Sequence, residues 1–299
     1  MRKTADDKPT SSKKNALNNL PAKEWIKFTK SWFICNPLPR DKKEILHPAK
    51  FPEEMIEEFI KFFTKKRETV LDPLAGTGST LIAAANNYRS CLGIELIEKY
   101  YSIAKKRIDK KISMIKGVNK LKQLSGKETS DIKLKIIKGD AMELARLMKE
   151  ININKVDYCI TSPPYWKMLK TTRGGVESVS KKRIKNGLDH YYSDNEKDLG
   201  NIEDYNCFLD VLYNIFSEVY KLLKDGGYLT VIIQNIRTPN GEMKPLAWDL
   251  AKKLSNLYTL KQEKIWCQDN KPLGIWGYPK EYVSSVHHHY CLIFQKPIK

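Results

Sequence analysis

The chain has 299 residues, 41% of them hydrophobic, which suits one large domain or two small ones with a sizeable core. Its formal net charge of +18 points to a polyanionic partner, nucleic acid first, over the plainer reading of a solvated Lys-rich surface. There is no apolar run of the roughly 18 residues a spanning helix needs, and the amino-terminal MRKTADDKPTSSKKNALNN lacks the apolar stretch of a secretory signal, so a membrane partner is not expected and the predicted location is the cytoplasm. The six cysteines, Cys35, Cys91, Cys159, Cys207, Cys267 and Cys291, form no C-x-x-C pair and mostly sit in apolar runs, as reduced buried thiols do.

Residues 1–20 are polar and rich in Lys, Ser and Asn, and read as a flexible basic tail; 21–299 read as one domain. Between 48 and about 66, Met55, Ile56, Phe59, Ile60, Phe62 and Phe63 recur at helical spacing, with Glu early and Lys late as a helix dipole favours. TVLD is a short buried strand, and GSTLIAAANNY starts a helix directly after it. CLGIE is the next strand, followed by a helix from 97 to about 114 and a Lys-rich loop near 116–131. LKIIKGD, AMELARLMKE and DYCIT read as strand, helix and strand. Residues 167–203 lack periodicity and read as a long inserted loop. YNCFLDVLYNIFSEVYKLLK is an amphipathic helix with Gly226–Gly227 as its expected stop. YLTVIIQN is a strand, 246–257 a helix, and 259–267 and 288–295 are strands close enough to form a hairpin, one of them antiparallel. Alternating strands and helices predict an α/β, doubly wound, mostly parallel sheet.

Such sheets bind ligands at the carboxyl ends of their strands, which selects Asp72, Glu95, Asp140 and Ser162. In LDPLAGTGST, Gly76 and Gly78 permit a tight turn, and the helix that follows offers free N–H groups to an anion. A dinucleotide fingerprint would have a third glycine where Leu81 stands, and no Lys of a P-loop is present, so a carboxylate fits better than a pyrophosphate. Glu95 follows the glycine turn at the distance of about 20 residues typical of a ribose-binding acid. Asp140 can accept from an adenine amine, or simply cap the next helix. A carboxylate, a ribose and an adenine without phosphates describe S-adenosylmethionine.

HPAKFPEEMIEEFI, VLDPLAGTGSTLIAA, GIELIEKYYSIAKKRI and TSPPYW together resemble the amino-methyltransferases of DNA, which methylate exocyclic nitrogens of cytosine or adenine. The resemblance spans about 47–110 and 134–166 and continues more loosely to the end of the chain. It implies a seven-stranded, class I S-adenosylmethionine-dependent methyltransferase fold, with His47, Pro48, Asp72, Gly76, Gly78, Thr80, Glu95 and Asp140 around the cofactor and no metal. It also implies double-stranded DNA with a flipped target base as partner, hence a nucleoid-associated protein, and leaves open a homodimer and a cognate restriction endonuclease.

An exocyclic base amine is a poor nucleophile because its lone pair is conjugated into the ring. Acceptors on its two hydrogens favour an sp³-like nitrogen, and the Ser162 hydroxyl and Pro163 carbonyl are suitable acceptors. The adjoining Pro163 and Pro164 make a stiff elbow that fixes their direction. Tyr165 is the expected stacking partner of the flipped base, while Trp166 either assists or packs in the core. A carbon methylator would need a Pro-Cys pair, which the chain lacks. In the resembling family, Ser before Pro-Pro-Tyr goes mostly with cytosine N4 and Asp there with adenine N6, so Ser162 favours cytosine. Adenine N6, an RNA amine, or a binding protein without turnover are the alternatives.

Family members with the cofactor motifs first usually carry a target-recognition region after the last strand, and here the sequence stops at YCLIFQKPIK. The loop 167–203, with Lys170, Arg173, Lys181, Lys182 and Arg183, is therefore the expected recognition element, against the alternative of a disordered charged loop. His287, His288 and His289 alternate faces on a strand, so a packing or substrate-side role is expected in preference to a metal site.

Overall fold

The computed structural model describes residues 15–36, 52–124, 131–166, 195, 197–238, 241–271, 273, 279–280 and 282–298. In chain order the elements are α1 (Ala22–Phe28), β1 (Trp32–Ile34), α2 (Glu53–Phe63), β2 (Thr69–Asp72), α3 (Ser79–Asn86), β3 (Ser90–Glu95), α4 (Glu98–Leu124), β4 (Leu134–Lys138), α5 (Leu144–Glu150), β5 (Val156–Thr161), α6 (Tyr205–Leu222), β6 (Leu223–Ile233), β7 (Ile236–Arg237), β8 (Met243–Lys244), α7 (Leu246–Leu254), β9 (Thr259–Cys267) and β10 (His288–Gln295). The main sheet runs β4-β3-β2-β5-β6-β10-β9-β1, and β7 pairs with β8 in a separate ribbon. Neighbours in the main sheet are parallel except β10, which is antiparallel to both β6 and β9.

Both faces of the sheet are covered, so the central strands read as apolar runs whose successive residues enter opposite cores. Leu71, Cys159, Leu229, Val231 and Leu292 face α5, α6 and α7. Val70, Tyr158, Ile160, Ile232 and Cys291 face α2, α3 and α4. Seven strands stand where seven are expected, and the order 4-3-2-5-6-10-9 with an antiparallel β10 is the class I methyltransferase arrangement. The eighth, β1, lies parallel to β9 at the sheet edge.

Four local expectations are corrected. The amino-terminal tail is not wholly free: Asn18 is buried and its amide donates to the Phe62 carbonyl (2.6 Å), capping the end of α2. Leu17 and Leu20 pack on the same core, and Phe28 stacks on Phe62 at 4.0 Å between ring centroids. The Lys-rich stretch after 114 continues α4 to Leu124, because one exposed Gly117 costs a helix only about 1 kcal/mol and Ile112 and Ile115 still reach the core. Gly226–Gly227 is not the stop of α6. That helix ends at Leu222, where Lys296 from the end of β10 donates to the carbonyls of Tyr220 (2.9 Å) and Leu223 (2.8 Å). The glycines lie inside β6, opposite a register shift in β5, and a side chain on Gly227 would come within 2.8 Å of the Lys224 carbonyl. The last helix, α7, ends at Leu254, shorter than the stretch expected to 257.

Candidate active site

Asp72, Glu95 and Thr161 close strands β2, β3 and β5 at their carboxyl ends, on one rim of the sheet. Asp72 is buried and its side chain joins three segments. Its Oδ2 accepts from Thr80 Oγ1 (2.5 Å) at the start of α3, and its Oδ1 accepts from Thr161 Oγ1 (2.7 Å) and the Leu74 amide (3.1 Å). Burial raises its pKa, and these hydrogen bonds oppose the rise. Thr80 is thus an internal tie whose hydroxyl is committed to Asp72. Thr161, which precedes Ser162, hangs the elbow on the glycine turn.

That turn needs its glycines: Gly76 and Gly78 have φ of 52° and 81°, and a Cβ on Gly78 would lie 3.2 Å from the Ala104 Cβ of α4. Arg107 of α4 holds the turn from outside, donating to the Thr77 carbonyl (2.6 Å) and pairing with Glu53 of α2. At the first position of α3 the Ser79 Oγ is buried with no hydrogen-bond partner among the described residues, at a helix end that carries positive potential.

Glu95 is buried. Its Oε2 accepts from the Gly76 amide and its Oε1 from the Ile97 amide, both at 2.8 Å. Burial outweighs those bonds and pushes its pKa up to about 8, with Asp72 and Asp198 adding to the rise. Asp140 caps the turn after β4 through the Met142 amide (2.9 Å), and its other oxygen faces Lys197 at 3.5 Å. The capping oxygen and the oxygen facing Lys197 therefore belong to one half-buried carboxylate.

The end of the inserted loop folds across this rim. Asp198 is buried near Glu95, Leu199 enters the core, and Lys197 reaches Asp140. Nothing in the sequence marked Lys197 and Asp198 for this place, because the excursion has no periodicity to say which of its residues return. His47, Pro48, Lys170, Arg173, Lys181, Lys182 and Arg183 lie outside the described residues.

In the elbow, Ser162 and Pro164 are half-buried and Pro163 is buried. The Ser162 hydroxyl lies 3.2 Å from the Tyr165 hydroxyl, which lies 3.2 Å from Nδ1 of His289 on β10. Tyr165 is itself buried, so its ring is part of the wall and not a freely presented platform. Trp166 packs inward: its indole N–H donates to the Ile202 carbonyl (3.1 Å), and its ring meets Tyr205 edge-on at 5.2 Å. Of the two roles open to it, packing is the one its contacts serve. Its φ of 39° is costly for a bulky residue and marks the elbow as strained. His289 stacks on Trp266 at 4.4 Å, so the histidine run does serve packing, and its third member reaches the elbow.

The donor set suits S-adenosylmethionine. Among the described residues an unpartnered buried hydroxyl stands at a helix N-terminus for a carboxylate, a buried acid for ribose hydroxyls, and the Asp140 oxygen that faces Lys197 for an amine.

Residues 1–106 and 156–299 match the family profile N6_N4_Mtase, described as DNA methylase. The chain is 33% identical over 130 residues to the type II methyltransferase M.BglI of Bacillus subtilis, 42% of this chain and 35% of that protein. It is 38% identical over 68 residues to the orphan methyltransferase M.BamHII of Bacillus amyloliquefaciens, 23% of this chain and 26% of that one. The matched part thus spans 35% and 26% of these relatives' lengths. A protein of Thermus thermophilus described as a DNA modification methylase, crystallised with S-adenosyl-L-methionine, aligns over 54% of each chain with a TM-score of 0.36 and 25% identity. The rim where Asp72 ties a glycine turn to a Thr-Ser-Pro-Pro-Tyr elbow is thus described by a profile covering most of the sequence: this chain belongs to the N6/N4 DNA methylase family.

Proposed function

We propose that the protein is an S-adenosylmethionine-dependent DNA methyltransferase acting on the exocyclic N4 of cytosine. The observation that carries the reading is the Thr80–Asp72–Thr161 tie, which makes the glycine turn and the elbow one rigid unit. Donor pocket and acceptor elbow are then held at a fixed separation, as an in-line transfer requires.

When bound, the cofactor supplies a sulfonium methyl group. Glu95 would accept from its ribose, Asp140 from its adenine amine, and the α3 N-terminus with Ser79 would receive its carboxylate. Ser162 Oγ and the Pro163 carbonyl accept the two hydrogens of the target amine and draw its lone pair out of conjugation. The amine so prepared would receive the methyl group that the bound cofactor supplies, and the methylated nitrogen would then shed one proton to solvent. No strong base has to act before attack. Ser162, where the adenine-directed members of the family mostly have Asp, favours cytosine.

The partner in this reading is double-stranded DNA with the target base flipped out; a second copy of the chain and a cognate restriction endonuclease stay open. The location is cytoplasmic and nucleoid-associated. Lys170, Arg173, Lys181, Lys182 and Arg183 contact phosphates and bases. The test is incubation with labelled cofactor and DNA or RNA, followed by digestion to nucleosides and mass spectrometry. N4-methylcytosine is expected; N6-methyladenine or a methylated ribonucleoside replaces the reading, and no product removes it. Ser162→Ala is expected to lower turnover while calorimetry finds cofactor affinity unchanged.

A further inference from the structure

We propose that His289 is a positioning residue for methyl transfer: acting through the Tyr165 hydroxyl, it fixes Ser162 as a hydrogen-bond acceptor toward the target amine. The inference rests on the amine-methylation reading above and adds to it a residue 124 positions further along the chain than Tyr165.

The geometry is a chain of two contacts, Ser162 Oγ to Tyr165 OH and Tyr165 OH to His289 Nδ1, each 3.2 Å. His289 cannot easily turn elsewhere. It is buried on β10, its backbone pairs with Trp266 of β9, and its ring lies on the Trp266 indole with 22° between planes. The Tyr165 ring sits 5.8 Å away between centroids, so the two side chains share one wall.

A neutral imidazole has one donor nitrogen and one acceptor nitrogen, and here the choice between them propagates. Burial, with Lys271 and His288 adding, pushes the His289 pKa down to about 3, so the ring is neutral through the physiological range. Burial likewise raises the Tyr165 pKa and keeps its hydroxyl protonated. With Nδ1 as acceptor, Tyr165 donates to His289, and the Tyr165 oxygen accepts from Ser162. Ser162 then has its own hydrogen committed and both lone pairs free for the amine. With Nδ1 protonated the chain reverses, the Ser162 hydrogen is released, and it competes with the amine hydrogens for the same space. No proton travels along this chain; it sets orientation before attack.

The test compares full-length wild type with His289→Phe, Tyr165→Phe, the double variant and His289→Asn, whose amide can restore a polar atom near Nδ1. Each Phe variant is expected to lower kcat roughly tenfold to a hundredfold, with the KM for S-adenosylmethionine unchanged. The double variant should be no worse than either single, and His289→Asn should recover most of the loss. Losses that multiply in the double variant, or full kcat in His289→Phe, overturn the proposal while leaving the functional reading intact. A second arm needs no turnover: 15N NMR of histidine-labelled protein at neutral pH should show His289 Nδ1 unprotonated and its resonance displaced in Tyr165→Phe. A protonated Nδ1 overturns the proposal. A wild type that yields no methylated nucleoside refutes the functional reading, and the tautomer then decides the polarity of the chain by itself.

Discussion

Asp72 is the single side chain on which most of the candidate site converges, and its substitution is expected to act on two functions together. Asp72→Asn keeps the shape but replaces one acceptor with a donor, so the Thr80 and Thr161 hydroxyls no longer both find their partner. A loss of about 1–3 kcal/mol in unfolding free energy is expected by chemical denaturation. Cofactor affinity and kcat should fall together, unlike in Ser162→Ala. Glu95 carries a pH dependence. Its folded pKa of about 8 lies above its ordinary 4.5, so its contribution to stability is full at low pH and is lost as pH rises through about 8. In the proposed function ribose hydroxyls would donate to the ionised form, so cofactor binding near neutral pH should release protons, and affinity should rise with pH and level off above about 8. Calorimetry in two buffers of different ionisation enthalpy measures the release, which Glu95→Gln should abolish. Asp72, Glu95 and Ser162 were legible in the sequence because each ends an apolar run before a turn signal. Thr161, Asp198 and Arg107 were not, since their roles depend on partners 89 residues away for Thr161 and 30 for Arg107, and on a fold-back for Asp198.

At the scale of elements, helices end where neighbours finish them. The carboxyl end of α6 is completed by Lys296, which also faces Asp225 at 3.1 Å and lies over the Tyr220 ring at 4.5 Å. Lys296→Met keeps the stem but leaves the Tyr220 and Leu223 carbonyls without this donor. It is expected to cost about 1–3 kcal/mol in denaturant unfolding, with cofactor affinity unchanged. The same logic holds at the amino end, where Lys264 of β9 is buried and donates to the carbonyls of Phe28 and Lys30 behind α1. Periodicity announced α2, α6 and the strands β2 to β6. It did not announce α1 or β1, because neither buries a continuous stripe of its own.

At the scale of the whole molecule, the charge of +18 has a direct consequence. If lysines and arginines neutralise phosphates, DNA affinity should fall by roughly 10³-fold between about 50 and about 200 mM salt, read as a straight line of log K against log salt. A flat line would return the surplus to a solvated Lys-rich surface. The amino-terminal segment adds a second whole-molecule feature: Trp25, Phe28 and Phe33 meet the rings of Phe59, Phe62 and Phe63, and Leu17 and Leu20 pack on the same core, so the start of the described chain belongs with α2.

By itself the sequence determined the class of fold and pointed to the strand ends Asp72, Glu95 and Ser162 as the place to look for a site. Apolar runs of strand length, helical stripes between them and turn residues at their ends are local properties, written within windows of a few residues. Only the tertiary structure decided which of those residues are free to meet a ligand. Thr80 and Trp166 are internal ties, Tyr165 is part of the wall, and His289 stands at the elbow, 124 residues along the chain from the tyrosine it touches. Burial and hydrogen-bond direction depend on groups brought together from distant segments, and no local pattern encodes them.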